Sequence, residues 1–149
     1  MRRLEYFVVC KSVSLDAMSG EISLFHVTQH RSVSSLPCVI PSLCAVASWI
    51  DEDTLLEGRV NHATPETHVK LNVISPGGNP VNTFRRTIGS QNRMQQSVFR
   101  VMNIPIPTEG DLVFELVVDD SPVAHHTVVV SQKGAHNNPM DRSGGSAAS

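Results

Sequence analysis

Hydrophobic residues along this chain recur mostly at every second position. Between 111 and 119, Leu112, Phe114, Leu116 and Val118 fall on one side and Glu115 and Asp119 on the other. That alternation predicts a half-buried strand. Residues 68–75 repeat it, with Val69, Leu71 and Val73 set against His68, Lys70 and Asn72. Turn chemistry separates the runs. Ser75-Pro76-Gly77-Gly78-Asn79-Pro80 predicts a hairpin into a strand from Val81 to about Thr87, since proline presets φ and glycine supplies positive φ. Asp119-Asp120-Ser121-Pro122 predicts a second hairpin loop, into a strand over 123–131. Further strands are predicted over 4–10, 21–30 and 97–104, with a turn cluster at 16–20 and a corner at 105–110. The run PCVIPSLCAVASWI is apolar on both faces. It predicts a central strand from Val39 to Ile50, with Pro41 at a bend or bulge near its start and Trp49 in the core. Residues 51–58 read as an acidic loop, and short helical pieces at 52–57 or 88–96 lack a 3.6-residue stripe.

This makes about eight strands at close spacing, with no helical crossover of roughly ten or more residues, which excludes a parallel α/β sheet. The expected fold is all-β: an antiparallel two-layer β-sandwich of immunoglobulin-like or similar topology. The antibody-type arrangement of a tryptophan between two bridged cysteines is absent. The sandwich is expected over residues 1–132. Residues 133–149 are rich in Gly, Ser and Asn, without apolar periodicity, and read as a flexible tail.

Composition narrows the function classes. Of 149 residues, 17 % are charged and 5 % aromatic, with 12 basic against 14 acidic side chains. A net charge of −2 excludes a polybasic nucleic-acid binder, and the few aromatics argue against stacking on bases or sugars. No apolar run reaches the roughly 20 residues of a membrane helix. The opening Met1-Arg2-Arg3 followed by an apolar stretch to Cys10 imitates a secretion signal, but Glu5 interrupts it and Val9 stands where a small residue is needed. A cytoplasmic location is therefore expected. Cys10, Cys38 and Cys44 are odd in number, without a Cys-x-x-Cys pair, and read as buried, inert thiols.

The opening LEYFVVCKSVSLDAMSGEISLFHV, the run PCVIPSLCAVASWI and the close PTEGDLVFELVVDDSPVAHHTVVV resemble an uncharacterised family of small bacterial β-sandwich proteins, over roughly residues 3–131. The resemblance implies the fold and a cytosolic bacterial setting, and it implies no activity. One departure is Asp120, where the family pattern places glycine after the aspartate of the last hairpin.

Candidate chemistry is sparse. Seven histidines are present, yet no His-x-His or Cys/His cluster occurs. Adjacent His125 and His126 point to opposite faces of a strand. His26 and His30, on one strand face, would lie about 13 Å apart, too far for one ion. His62 and His68 flank a turn-like segment and could approach each other. Asp51-Glu52-Asp53 and Asp119-Asp120 offer carboxylates without matching a defined calcium loop. His62, His68, Asp119 and Asp120 are thus weak metal candidates, and no cofactor is implied. There is neither a nucleophile elbow nor a phosphate-binding glycine loop.

The most unusual segment runs from Arg85 to Arg100, with four arginines (Arg85, Arg86, Arg93, Arg100) and no acid. Five acids and no base lie between Glu109 and Asp120. Such division suits either a surface for an acidic partner or ordinary ion pairs between basic and acidic strands of one sandwich. The expectation is a non-catalytic protein-interaction or scaffold module, binding a protein partner or a second copy through a sheet edge or the arginine region. The alternative is a metal-dependent (calcium or zinc) binding protein or enzyme that uses the loop histidines and aspartates.

Overall fold

A computed structural model describes residues 2–51, 66–89 and 94–134. The described residues form nine strands and no helix: β1 (Arg2–Leu15), β2 (Ile22–Val27), β3 (His30–Val33), β4 (Cys38–Asp51), β5 (Thr67–Ile74), β6 (Pro80–Ile88), β7 (Met94–Ile106), β8 (Gly110–Val118) and β9 (Ser121–Gln132). They build two sheets, β2-β1-β4-β7 and β3-β9-β8-β5-β6. Every pairing is antiparallel except β3 with β9.

The period-two runs dictate the packing. Val69, Leu71 and Val73 from β5 and Leu112, Phe114 and Leu116 from β8 are buried against Leu43, Ala45, Ala47 and Trp49 from β4. Phe99 on β7 and Phe114 on β8 are the largest fully buried side chains. The Trp49 indole donates to Ser97 Oγ at 3.2 Å, so its polar edge is satisfied inside the core. The centre strand β4 is apolar on both faces because both are covered. Cys44 and Val46 turn away from the inter-sheet core and form a second cluster with Cys10, with Tyr6, Val8 and Val98 packed against it. Cys10 and Cys44 stand opposite each other on β1 and β4. Burial, reinforced by Cys44, pushes the Cys10 thiol up, and all three cysteines are free. Pro41 lies beyond the part of β4 that pairs with β1, so the proline costs no ladder bond on that side. The β4–β7 register is the same on both sides of it, Ile40 facing Ile104 and Ser42 facing Met102, so the strand passes Pro41 without the expected bulge.

The structure corrects three further expectations. The strand expected over 21–30 is two strands, which accounts for nine rather than eight. At the break His26 has φ of 59°. The Thr28 amide donates to the Val9 carbonyl on the first sheet, and the neighbouring Gln29 carbonyl accepts from the Val129 amide on the second. The chain therefore crosses between sheets at Thr28-Gln29. The last hairpin is tighter than the four-residue loop expected: only Asp119 and Asp120 separate β8 from β9, at φ of 46° and 68°. Positive φ at both central residues is the requirement of a type I′ turn, which aspartate tolerates. Helix is absent from the described part of 88–96, where residues 94–96 open β7. The 52–57 segment lies outside the described residues. Among those residues no helix is long and apolar enough to cross a membrane.

Candidate binding site

The outer face of the five-stranded sheet carries the residues singled out by sequence. Alternation turns His68, Lys70 and Asn72 of β5 outward, and pairing sets Thr87, Arg85 and Thr83 of β6 opposite them. On the other side of β5, Asn72 faces Glu115 and Lys70 faces Val117 of β8. Three transverse rows result.

The two flanking rows are closed by hydrogen bonds. In one, Thr83 Oγ1 donates to Asn72 Oδ1 at 3.0 Å, and Asn72 Nδ2 donates to Glu115 Oε1 at 3.0 Å. In the other, the His68 amide donates to Asp119 Oδ1 at 3.1 Å, and the Asp119 amide returns a bond to the His68 carbonyl at 2.9 Å. Thr87 Oγ1 lies 3.4 Å from His68 Nδ1. The middle row is different. Arg85 and Lys70 are direct cross-strand neighbours of like charge, and neither side chain joins an ion pair or hydrogen bond among the described residues. Val117 forms the floor beside them, 6 % exposed. His68, Lys70, Arg85, Thr87, Asp119 and Asp120 line one open cleft of about 540 Å³.

This geometry sorts the sequence candidates. Arg85 is exposed on the outer face. Arg86, its neighbour, points to the opposite face, where its guanidinium carbon sits 5.0 Å from the Phe99 ring centroid. It covers a core aromatic, itself in edge contact with Phe84 at 6.4 Å. Arg100 pairs with Cys44 on β4 and lies on the outer side of the other sheet. The arginines of one sequence segment are thus divided among three surfaces, because successive strand residues alternate and β6 and β7 belong to different sheets. Arg93 and His62 lie outside the described residues. The ion pairs expected between basic and acidic strands do not form along β6, whose ladder partner is β5 rather than β8. His68 meets Asp119 through backbone bonds rather than as a ligand pair. Among the described residues no group of three His, Cys, Asp or Glu side chains is placed to hold a metal ion.

Sequence reasoning missed Lys70 as a site residue, although its signal was present. A ladder centred on Gly77-Gly78 pairs Lys70 with Arg85 directly.

Comparison with known families matches residues 5–131 to the family of unknown function DUF6941, and the chain belongs to that family. A search of curated proteins returns no match.

Proposed function

We propose that this member of the DUF6941 family is a non-catalytic protein-interaction module that docks an acidic segment of a partner protein on the Lys70–Arg85 row. One observation carries the reading: like charges stand directly opposite on the outer ladder and neither joins an ion pair among the described residues, although Asp119 and Asp120 line the same cleft, whereas the rows on either side are hydrogen-bonded. A like-charge cross-strand pair costs about 0.2–1 kcal/mol. A carboxylate bound between the two cations turns that repulsion into two attractions, and the arginine fork matches a carboxylate in bidentate fashion. The edge of β6, to which no described strand pairs, adds a second means of recognition. β6 ends the five-stranded sheet, so its outward amides and carbonyls can pair with an extended partner segment.

A different protein fits this surface better than a second copy. The acidic strand β8 is flanked on both sides by β5 and β9 and has no edge to offer. The free cysteines support a reducing, cytoplasmic setting. The test is capture of partners by tagged protein, compared with Lys70→Glu/Arg85→Glu. The expected result is a partner with an acidic stretch that binds the parent chain and is lost by the folded double variant. Equal capture by both would overturn the reading.

A further inference from the structure

A second basic cleft lies at the opposite side of the sandwich, where the chain crosses from β2 to β3. It has a volume of about 500 Å³, and Lys11, His26, His30, Arg31 and Ser32 are among its lining residues, with no carboxylate among them. On a single strand His26 and His30 would sit too far apart to act together. The positive φ at His26 and the crossover at Thr28-Gln29 bring both to the same cleft. A non-glycine residue in the left-handed region costs of the order of 1 kcal/mol, and such residues cluster at binding sites.

The crossover also has its acceptors occupied. The His26 carbonyl accepts from Thr28 Oγ1 at 2.9 Å, the Thr28 carbonyl contacts His126 Nε2 at 2.6 Å, and the Gln29 carbonyl accepts from the Val129 amide at 3.0 Å. His30 is held through Nε2 by Ser131 Oγ at 2.9 Å. Carbonyl oxygens that would repel an anion are therefore engaged within the protein. Lys11 and Arg31 join no ion pair or side-chain hydrogen bond among the described residues. The cleft offers donors and positive charge, with few acceptors left.

We propose that this cleft binds a phosphate group, with the Arg31 fork and the Lys11 ammonium as its principal charge partners and His26 as a further donor, while His30, held on the outer face by Ser131, borders the cleft. Planar guanidinium and ammonium are the side chains that hold phosphate oxygens. The cleft is larger than a bare phosphate and polar, which suits a phosphomonoester whose remainder is small and hydrophilic.

The proposal does not depend on the β6 cleft and is tested separately. Isotope-labelled full chain is titrated with inorganic phosphate at constant ionic strength, with chloride as the control and phosphatidic acid vesicles as a parallel arm. A saturable response at residues 11 and 26–32, absent with chloride, is expected from phosphate if the group arrives on a soluble molecule. If it arrives on a lipid headgroup, binding to the vesicles is the expected response. In either arm Lys11→Gln/Arg31→Gln weakens binding about tenfold or more, with the spectrum elsewhere unchanged. His26→Gly, which suits the positive φ, keeps the fold and weakens binding less. No saturable response in either arm, or a response that survives in the folded double variant, overturns the proposal.

Discussion

The outward faces of the two sheets are built on opposite principles. On the four-stranded sheet, Cys10, Cys44 and Val46 are buried although they turn away from the main core, because Tyr6, Val8 and Val98 pack over them. On the five-stranded sheet the equivalent positions hold Asn72, Lys70 and His68 on β5, opposite Thr83, Arg85 and Thr87. The first face gains stability from its own burial. The second gives up a small amount of stability by keeping two like charges together. This difference is the reason the proposed partner surface is placed on the five-stranded sheet.

Substitutions on the two faces test this contrast. The largest effect is expected from Val46→Asp, which puts an unpaired charge into the apolar cluster and should cost roughly 3–5 kcal/mol or prevent folding. Thr83→Asp, on the outer face of the other sheet, should cost less than about 1 kcal/mol. Thermal or urea unfolding of the two variants checks the pair; similar costs would erase the contrast. Next in size is the final hairpin. Asp119→Ala removes the carboxylate bonded to the His68 amide and strains a positive φ, and should cost roughly 1–2 kcal/mol. Asp120→Gly relieves the same strain and should add about 0.4–1 kcal/mol. Urea midpoints moving in opposite directions would bear this out. Smaller again is the division between the adjacent arginines. Arg86→Ala should lose roughly 0.5–1 kcal/mol through its contact with Phe99, whereas Arg85→Ala should leave stability unchanged or raise it.

The smallest effect concerns acid. Backbone amides of Ser19 and Met18 hold the Asp16 carboxyl below its usual range. A lowered value means that the contribution to stability is present above the ordinary carboxylate range and fades as pH falls through the lowered one. Amide shifts of Met18 and Ser19 should therefore titrate below the ordinary carboxylate range, and should lose that transition in Asp16→Asn.

How much was legible depended on the range of the interaction. Alternation in 68–74 and 112–118 identified both the strands and their buried faces, since each signal is local. The pairing of Lys70 with Arg85 was also in reach, because a tight turn at Gly77-Gly78 fixes the register of both flanking strands. Three features were not. The crossover at Thr28-Gln29 depends on bonds to Val9 and Val129, distant in sequence. The assembly of His68 beside Asp119 depends on β8 lying next to β5, which periodicity cannot specify. The separation of Arg85, Arg86 and Arg100 onto three surfaces combines alternation, which is local, with the assignment of β6 and β7 to different sheets, which is not.

The most direct test measures stability and binding in Arg85→Glu. The substitution replaces repulsion across the β5–β6 ladder with an ion pair to Lys70. If the row is kept for an acidic partner, the melting temperature should stay the same or rise by about 1–3 °C, while partner affinity falls about tenfold or more. A fall in melting temperature, or undiminished partner binding by the folded variant, would contradict the account.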